Sequence, residues 1–429
     1  MFSFKGVHPQ YNKITSAKAI KVAKLPSKVI IPLKQYDQSD AKPLVKVGQK
    51  VKAGQKIASG QSFLAVDVHA SISGKVTDIC LMPHPVIGEA LSVVIESDGK
   101  IEFDSSIKER KKEPNSDEIK KIIKEAGIVG LGGAMFPTHV KLTPPKGKIL
   151  DTLIVNGAEC EPYITADHRL MLEHSHEIIE GIKIIMKATN VKKAIIGVED
   201  NKKDAINKLN QELKNEKNIE VKSVKTRYPA GAEKNLIKDL INREVPFPGI
   251  PADVGVIVDN ITTIKAIYDA VKLGKPLIER VVTVTGAIKS PENYLVKLGV
   301  LFKDLIQQSN GYSGNISKLI NGGPMMGITQ YTDEVPIIKG TSCILALSEA
   351  KKYDPLPCIR CGKCIEVCPM KLMPTSLALN AEHKKFDVCN SLSIFDCYEC
   401  GACSYVCPSK IPLVQWIKYG KAEIKKEKK

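Results

Sequence analysis

The pattern of apolar residues changes along the chain, from short strand-like runs alone to strand-like runs that alternate with helix-like segments. From Gly6 to about Ser97, short apolar and β-branched runs such as "SKVIIPL" and "KVKAGQKIA" are separated by glycine and proline. Such runs with regular turn signals predict an all-β barrel or sandwich. From Asp151 onward, strand-like runs such as "TLIVNG" and "KAIIGVE" alternate with helix-like segments, one of them from Asp167 to about Lys187. This alternation predicts a layered α/β unit with a largely parallel sheet.

The boundaries between units follow from where these patterns change. The charged stretch "DSSIKERKKEPNSDE" indicates a linker, and a helix "SDEIKKIIKEAG" follows with Ser116 as its expected N-cap. After Lys275 the runs "RVVTVTGAI", "VLFKDLIQQSN" and "SKLINGGPMMG" indicate a small α+β unit. We therefore predict a multidomain α/β protein with a β barrel-sandwich at 1–103, an α/β domain at 115–274, the α+β unit at 275–347, a cysteine-rich domain at 350–420 and a frayed basic tail at 421–429.

Composition places the chain among soluble proteins. Apolar residues make up 43% of the 429 residues, which is ample for ordinary cores. No window approaches the roughly 18 uninterrupted apolar residues of a membrane span. The start, "MFSFKGVHPQYNKI", lacks the apolar core of a signal peptide. We expect a chain that is cytosolic, or held at a membrane only by partners.

The formal net charge of +16 suits an anionic partner. Nucleic acid, lipid headgroups and acidic proteins all meet that condition, and a solvated basic surface without a partner is the alternative. Aromatic residues make up only 5% and are not interleaved with basic residues, so the sequence does not favour nucleic acid. An acidic redox partner or a membrane face remains beside the solvated surface.

Eight of the twelve cysteines occur in two runs of one spacing, "CIRCGKCIEVCP" and "CYECGACSYVCP". The spacing C-x2-C-x2-C-x3-C-P is that of bacterial two-cluster ferredoxins, where three cysteines hold one [4Fe–4S] cube and the fourth reaches the other. Two zinc sites are the alternative, but zinc requires neither the third cysteine nor the proline. The expected ligands are Cys358, Cys361, Cys364 and Cys407 for cluster one, and Cys397, Cys400, Cys403 and Cys368 for cluster two. We interpret Cys80, Cys160, Cys343 and Cys389 as ordinary buried thiols.

The glycine-rich stretch "GIVGLGGAMFP" is a candidate ligand loop. It follows a helical pattern rather than a strand, and no Gly-Lys-Ser/Thr follows, so it matches neither a dinucleotide fingerprint nor a Walker loop. Its backbone is able to approach a flat ring or a phosphate closely, and Lys141 lies just downstream as a point charge. A tight turn without a ligand is the alternative. The glycines are Gly127, Gly130, Gly132 and Gly133.

Polar residues collect where predicted strands end. "VNGAECEPYITADHR" follows one strand, "RYPAGAEKNLI" opens a helix, and "VIVDNITTI" joins a strand to a helix. α/β folds bind ligands at such edges, and carboxylates there suit ribose hydroxyls; a solvated acidic turn is the alternative. The candidate residues are Asn156, Glu159, Glu161, Asp167, Gly231, Glu233, Asp259, Asn260, Thr262 and Thr263.

These motifs carry a family resemblance. "GLGGAMFPTHVK", "VNGAECEP", "YPAGAEK" and "VDNITT" resemble, in order, motifs of the flavin-bearing NADH-oxidising subunit of complex I. "VGQKVKAGQKIA" and "VHASISGKV" resemble the lipoyl/biotinyl hammerhead, with Phe63 at the position of the modified lysine, so no carrier function is expected. With the cysteine repeat, nearly the whole chain resembles the C subunit of the Rnf (Rsx) electron transport complexes.

The resemblance implies a fold and a set of contacts. It implies a hammerhead-like barrel-sandwich, a complex I flavoprotein-like α/β core, an SLBB (β-grasp) unit after Lys275 and a helical two-[4Fe–4S] ferredoxin-like domain. It implies FMN in the glycine loop with NAD(H) stacked on it. Transferred residue by residue, the FMN contacts are Gly130, Gly132, Gly133, Lys141, Asn156, Asp259, Asn260 and Thr263. The residues facing FMN or the nucleotide are Glu159, Glu161, Tyr228 and Glu233, with Gly231 beside them.

Departures from the complex I pattern bear mostly on the nucleotide. The complex I loop has arginines and a glycine where this chain has Val129, Leu131 and Met135, and acidic positions are replaced by Ala158 and Ala232. The flavin site is therefore better supported than the details of the nucleotide contact.

The resemblance implies an oxidoreductase subunit of an ion-translocating membrane complex. Its reaction is hydride exchange between NAD(H) and FMN, followed by single-electron transfer through two [4Fe–4S] clusters, with no side chain acting as acid or base. Its partners are the other Rnf subunits and, indirectly, a ferredoxin-like carrier. Its location is peripheral, on the cytoplasmic side of the membrane. The alternatives are a cobalamin reductase-type flavin/iron–sulfur protein and a ferredoxin-like relay without flavin. The A subunit of the Na⁺-pumping NADH:quinone reductase is a third alternative, since it resembles the N-terminal part of this chain. It lacks the cysteine runs, and this chain departs from it there.

Overall fold

The computed structural model describes residues 5–36 and 40–427. Residues 1–4, part of the stretch assessed for a signal peptide, and residues 428–429 of the predicted tail lie outside the described residues. In the described part of the chain, no helix combines the length and the apolar character needed to cross a membrane.

The described residues of the first part of the chain form the strands β1 (Ile20–Val22), β2 (Lys28–Pro32), β3 (Ala41–Pro43), β4 (Lys50–Val51), β5 (Lys56–Gly60), β6 (Val68–His69), β7 (Gly74–His84) and β8 (Gly88–Ser97). Strands β2 to β8 build two sheets, in the orders β2-β8-β7-β4 and β3-β5-β6. Val76, Val93 and Ile95 are fully buried in their shared core, because alternate strand positions face the same side. A barrel-sandwich results, with the long β7–β8 hairpin projecting from it.

Residues 5–22 do not belong to that sandwich. Val7 pairs with Tyr228 of the α/β unit, and the Tyr163 amide donates to the Tyr11 carbonyl. Strand β1 then runs parallel to a strand of the third unit. The backbone hydrogen bonds of this N-terminal arm, which lies within the predicted 1–103 domain, go to the two units that follow.

The second unit is an α/β layer: α1 (Ser116–Glu125), α2 (Thr138–Lys141), β9 (Thr152–Gly157), α3 (Ala166–Glu173), α4 (Ser175–Thr189), β10 (Lys193–Glu199), α5 (Lys203–Glu212), β11 (Ile219–Val224), α6 (Glu233–Ile241), a 3₁₀ turn (Pro251–Val254), β12 (Val256–Asn260) and α7 (Ile261–Lys272). Its sheet has the order β11-β10-β9-β12, and every pairing is parallel. The loops after β9 and β12 therefore meet at one edge of the sheet.

Two local predictions in this unit are wrong. Asn115, not Ser116, caps α1: its side chain accepts the amides of Asp117 and Glu118, while the Glu118 carboxylate accepts the Asn115 amide. Asn115 is the favoured cap because, in this capping box, its side chain and the Glu118 carboxylate each accept the backbone amide of the other residue. The predicted helix from Asp167 to Lys187 is two helices, α3 and α4, since the backbone at His174 leaves helical geometry.

The third unit is a mixed sheet covered by one helix: β13 (Glu279–Gly286), β14 (Glu292–Lys297), α8 (Phe302–Gln308), β15 (Lys318–Asn321), β16 (Ile328–Gln330) and β17 (Cys343–Leu347). Its strand order is β1-β14-β13-β17-β15-β16, so the N-terminal arm supplies an edge strand. Phe302, Leu305 and Ile306 of α8 are buried in the core beneath the sheet.

The fourth unit is helical: α9 (Lys363–Glu366), α10 (Pro374–Glu382), α11 (Phe386–Ser391), a 3₁₀ turn (Ile394–Asp396), α12 (Ala402–Val406) and α13 (Leu413–Glu427). The prediction of a frayed tail is wrong up to residue 427. Helix α13 packs on α10, and Ile417 and Ile424 are buried with Leu377 and Ala381. The tail's few apolar residues are spaced so that they face one side of a helix.

The two cysteine loops have the same backbone. Each cysteine of the first run has a counterpart 39 positions later, as Cys358 and Cys397 do. Left-handed φ values recur at the same offset: 55° and 58°, 75° and 77°, and 54° and 53°. The paired residues are Arg360 with Glu399, Gly362 with Gly401, and Lys371 with Lys410.

Candidate functional site

A cavity of about 560 Å³ opens at the carboxyl ends of β9 and β12. Its size lies within the roughly 300–1,000 Å³ typical of small-molecule sites. All four units line it: Val86 at the tip of the β7–β8 hairpin, the glycine loop after α1, residues 322–328 between β15 and β16, and Cys400 of the second cysteine run. The cavity is therefore a joint feature of the assembled chain.

The glycine loop is closed by its own backbone. The Gly130 amide donates to the Phe136 carbonyl at 2.8 Å, and the Met135 amide donates to the Gly130 carbonyl at 3.1 Å. The Leu131 amide donates to Thr263 Oγ1 at 2.8 Å. Gly130 and Thr263 thus shape the loop from behind and do not face the cavity.

The next three amides of the loop are open. Among the described residues, the amides of Gly132, Gly133 and Ala134 have no hydrogen-bond acceptor, and all three residues line the cavity. A Cβ at Gly132 would lie 3.3 Å from the Asn260 side chain, so the loop approaches that residue closely. Adjacent free amides form an anion-binding concavity, and this geometry fits the phosphate of a flavin nucleotide.

Two carboxylates after β9 order the loops around the cavity. Glu159 accepts the Asp167 amide at 2.8 Å at the start of α3, and burial raises the pKa of its carboxyl. Asp167 accepts the side chains of Asn260 and Thr262. Lys13 of the N-terminal arm reaches the same place, with its ammonium 3.9 Å from the Glu159 carboxylate. The predicted acidic loop is therefore a buried network and not a solvated turn.

Glu161 links the cavity wall to the third unit by hydrogen bonds. Its carboxylate accepts the amides of Met325 and Met326, at 3.3 and 2.7 Å. Burial raises the pKa of Glu161 to about 7 although these two amides lower it. A Cβ at Gly323 would lie 2.3 Å from the carboxylate, so a side chain there would displace the contact.

Asn156 and Gly231 join two strand ends. Asn156 Nδ2 donates to the Gly231 carbonyl at 2.9 Å, and the Gly231 amide donates to Cys160 Sγ at 3.5 Å. A Cβ at Gly231 would lie 2.6 Å from the Ala158 carbonyl oxygen. Glu233 follows at the start of α6 and also lines the cavity.

Lys141 and Asp259 lie behind the cavity and not in it. The Lys141 ammonium donates to the Val258 carbonyl at 2.9 Å and lies 3.8 Å from Asp259 and 3.7 Å from Glu233. Neither Lys141 nor Asp259 lines the cavity. Burial raises the pKa of Asp259 to about 6, with Lys141 opposing the rise.

The sequence patterns did not indicate two polar residues of the third unit that line the cavity, Arg280 and Asn321. Arg280 is buried, and Asn321 Oδ1 is buried without a hydrogen-bond partner among the described residues. Arg280 opens the apolar run of β13 and Asn321 ends that of β15, and such runs predicted only core positions. The signal that could have found Asn321 is the "NGG" after its strand, since polar residues at strand ends are candidates for ligand contact.

The predicted binding residues therefore form two groups. Those lining the cavity are Gly132, Gly133, Asn156, Glu159, Glu161, Tyr228, Gly231, Glu233 and Asn260. Those supporting it from behind are Gly130, Lys141, Asp259 and Thr263.

The four cysteines predicted for cluster two surround one small cavity. Cys368, Cys397, Cys400 and Cys403 line it together with apolar residues of α10 and α13. The Leu372 amide donates to Cys368 Sγ and the Glu399 amide to Cys397 Sγ, both at 3.3 Å. Four sulfurs around one cavity fit the ligand set of an iron–sulfur cluster. Hydrogen bonds from backbone amides to the sulfurs are a known determinant of a cluster's reduction potential. Within the described ranges, no three His, Cys, Asp or Glu side chains converge as ligands of a single metal ion.

The cysteines predicted for cluster one are closer to solvent. Cys358 and Cys361 are exposed, Cys364 is half-buried and Cys407 is buried. Residues 351–361 are exposed throughout. Cys364 and Cys407 pack beside Cys403 of the other set, so the two sets adjoin.

One residue joins the large cavity to cluster two. Cys400 lines both cavities, and its carbonyl accepts the Tyr228 hydroxyl at 2.7 Å. Tyr228 also lines the large cavity. Among the described residues, no other predicted ligand cysteine lines it, so cluster two is the nearer site.

Four family models match the chain in order. They are the RnfC barrel-sandwich hybrid domain at residues 2–100, the Nuo51 FMN-binding domain at 123–269, the SLBB domain at 281–329 and the 4Fe-4S dicluster domain at 357–411. These matches confirm the predicted fold class and the prediction of FMN and two [4Fe–4S] clusters as cofactors.

Among solved structures, an NAD⁺-reducing [NiFe]-hydrogenase in the air-oxidized state aligns with a TM-score of 0.49 and 19% identity, over 64% of this chain and 54% of that chain. These values are too low to support a conclusion about function.

Curated relatives match at higher identity. The C subunit of the proton-translocating ferredoxin:NAD(+) oxidoreductase complex of Clostridium ljungdahlii is 47% identical over 98% of this chain and 94% of its own. The C subunit of the Na(+)-translocating complex of Acetobacterium woodii is 46% identical over 98% and 97%. The C subunit of the ion-translocating oxidoreductase complex of Vibrio cholerae is 41% identical over 91% of this chain but 52% of its own. The chain belongs to the family of the C subunits of these ion-translocating (Rnf) oxidoreductase complexes.

Proposed function

We propose that this chain is the NAD(H)-reactive, electron-carrying C subunit of an ion-translocating ferredoxin:NAD⁺ oxidoreductase complex. The observation that carries the proposal is Cys400, which lines both the cavity of the flavin motifs and the site of cluster two. A flavin in the large cavity would therefore adjoin an iron–sulfur cluster. The names and the identity of the relatives support the same function.

Bound FMN would supply the exchange between a hydride, which carries two electrons, and the single electrons of the clusters. The chain's own residues would bind and orient the flavin and the nucleotide. The open amides of Gly132 and Gly133 would donate to the flavin phosphate, and Glu159 and Asp167, which line the same cavity, would accept ribitol or ribose hydroxyls. Glu161 holds the amides of residues 325 and 326, and Met326 lines the cavity.

We propose an order for the two clusters. Cluster two, with its buried Cys400 and Cys403, exchanges electrons with the flavin, and cluster one exchanges them with the next protein. Support for the second step is the exposure of Cys358 and Cys361 in a segment that is exposed along its length. The ligand assignments themselves belong to this proposal.

We propose that the chain is held peripherally on the cytoplasmic side by the other subunits of the complex. The surface around cluster one suits such a contact. Leu356 and Ile359 are 63% and 67% exposed there, and Arg360 and Lys363 add positive charge. Apolar side chains rimmed by charges are typical of interaction sites.

Anaerobic reconstitution tests the proposal. The protein is loaded with iron, sulfide and FMN, NADH is added, and flavin bleaching is followed together with the electron paramagnetic resonance of the clusters. We expect the flavin absorbance to bleach. If flavin binds but NADH does not bleach it, a cobalamin reductase-type activity becomes the better assignment. If the protein binds no flavin, the relay without flavin replaces the proposal.

A further inference from the structure

Arg280 is a buried cation in the wall of the large cavity. It lies in β13 and is 3% exposed. Its guanidinium donates to three carbonyls: Val281 at 3.3 Å, Leu131 at 3.4 Å, and Lys339. A guanidinium has five N–H donors, so three carbonyls leave part of its donor capacity unused within the described residues.

The charges around the cavity are unbalanced. Its lining in the described part of the chain contains four carboxylates and, as its one lysine or arginine, Arg280. Burial lowers the pKa of Arg280 and the charge of Asp167 raises it, but no direct ion pair joins Arg280 to a carboxylate among the described residues. Burying a guanidinium without a direct counter-ion is costly unless a ligand supplies the negative charge. The carboxylates are those of Glu159, Glu161, Asp167 and Glu233.

Arg280 contacts the glycine loop at the residue that precedes its open amides, and it lines the same cavity as they do. It contacts the carbonyl of Leu131, and the free amides of Gly132, Gly133 and Ala134 come next in the chain. A guanidinium beside free backbone amides is a combination that recognises phosphate, because planar N–H pairs and amides both donate to its oxygens.

We propose that Arg280, from the SLBB unit, binds the phosphate of the flavin nucleotide, the role that the sequence suggested for Lys141. Lys141 is engaged by the Val258 carbonyl and by Asp259 and does not line the cavity. The inference rests on the proposed function, because it assumes a flavin nucleotide in the cavity. It assigns part of the cofactor contact to a unit outside the FMN-binding domain.

A comparison of FMN with riboflavin tests this role, since riboflavin lacks only the phosphate. Affinities are measured by flavin fluorescence quenching for the full chain with clusters loaded, for Arg280→Gln, and for Lys141→Met as the matched control. We expect Arg280→Gln to weaken FMN binding by about 10- to 100-fold, the effect of losing one charge-assisted hydrogen-bonding group. Riboflavin affinity should change by less than about 3-fold, and Lys141→Met should leave the FMN/riboflavin ratio close to that of the parent.

Other outcomes overturn the assignment. Equal losses for FMN and riboflavin would place Arg280 at the ring or in a purely structural role. Unchanged FMN affinity with weaker NADH binding to the FMN-loaded protein would place it at the dinucleotide phosphates. Failure of the parent protein to bind either flavin would instead remove the proposed function.

Folding of the variant is checked by circular dichroism and iron content. If Arg280→Gln does not fold, Arg280→Lys takes its place, because it keeps the charge but loses the planar pair of donors. A selective loss of FMN affinity over riboflavin affinity then supports the proposal, and an equal loss contradicts it.

Discussion

Asp259 is the least satisfied acid near the site. It is 1% exposed, neither carboxylate oxygen has a hydrogen-bond partner among the described residues, and Lys141 lies 3.8 Å away. Burial raises the pKa of its carboxyl from 3.8 to about 6. Between these two pKa values the folded protein holds a proton on Asp259 that the unfolded chain has released, and this difference links stability to pH.

We predict that Asp259→Asn removes part of the pH dependence of unfolding. A group whose pKa is raised on folding stabilises the protein at low pH, and this stability is lost as pH rises through the folded pKa. Between pH 5 and 7.5 the parent's free energy of unfolding should fall by about 1 kcal/mol more than that of the variant. Denaturant titrations of the flavin-free protein measure this difference. Asp253→Asn, a half-buried control whose pKa is lowered by the Ile250 amide and Lys148, should not reproduce it.

The N-terminal arm is the element that the sequence patterns described least well. The Lys13 ammonium donates to the carbonyls of Glu159, Glu161 and Ile164, at 2.7, 3.0 and 2.7 Å. Burial lowers the pKa of Lys13 while the Glu159 carboxylate raises it. The arm thus holds the acidic loop in shape, although it is far from that loop in the sequence.

We predict that Lys13→Met destabilises the protein by about 3 kcal/mol or more, because it removes the ammonium 3.9 Å from the buried Glu159 carboxylate and takes away the lysine donor of the Glu161 and Ile164 carbonyls. FMN affinity should fall as well, since Glu159 lines the cavity. Thermal unfolding and fluorescence quenching measure the two effects. Lys18→Met, which removes an ammonium that is 43% exposed beside Glu292, should cost less than about 1 kcal/mol. Equal effects of the two substitutions would contradict this role of the arm.

The two cysteine loops offer a matched pair of glycines. Gly362 and Gly401 have φ of 75° and 77°, a conformation that costs an alanine about 1–2 kcal/mol. A Cβ at Gly362 would meet nothing within 4 Å, whereas one at Gly401 would lie 2.9 Å from the Met325 carbonyl oxygen. The same substitution therefore adds a clash in one loop only.

We predict that Gly401→Ala lowers the melting temperature more than Gly362→Ala does. The clash at Gly401 should also disturb the segment around Met325 that Glu161 holds, and so weaken FMN binding. Gly362→Ala should leave FMN affinity unchanged. Melting curves and flavin titrations measure the two effects. A larger loss of melting temperature or FMN affinity from Gly362→Ala than from Gly401→Ala would contradict the packing of the second cysteine loop against the third unit.

At the scale of the whole molecule, all four units contribute residues to the large cavity, and the predicted site of cluster two adjoins that cavity. The barrel hairpin, the glycine loop, the loop after β15 and the second cysteine run all line the large cavity. From there the Tyr228 hydroxyl reaches the Cys400 carbonyl. Two of the four cysteines predicted for cluster one, Cys358 and Cys361, are exposed to solvent.

This order predicts unequal effects of removing one cluster ligand. In Cys361→Ser, electrons photochemically placed on bound flavin should still reach cluster two at the parent rate. In Cys400→Ser, they should reach the intact cluster one more slowly than in the parent. Time-resolved absorbance and the paramagnetic resonance signals of the remaining cluster distinguish the two. Slowing of flavin oxidation only in Cys361→Ser would reverse the proposed order.

Much of the candidate site could be predicted from local sequence. Gly132, Asn156 and Asn260 were found because ligand loops follow strand ends and glycine turns. Lys141, by contrast, was assigned to phosphate from its position in the chain, but its ammonium is turned away toward the Val258 carbonyl. Arg280 was missed because it lies within an apolar strand pattern. The direction in which a long side chain points depends on neighbours that are distant in sequence.

The sequence by itself determined the four types of unit, the cysteine spacing and the glycine and acidic loops. These are properties of short segments: period-two or helical patterning, turn residues and ligand spacing. Only the tertiary structure decided that the N-terminal arm buries Lys13 against the acidic loop, that Arg280 is the cation in the cavity wall, and that Cys400 adjoins both cavities. The physical reason is that each of these features is a contact between segments far apart in the chain, and its geometry exists only once all the units are packed together.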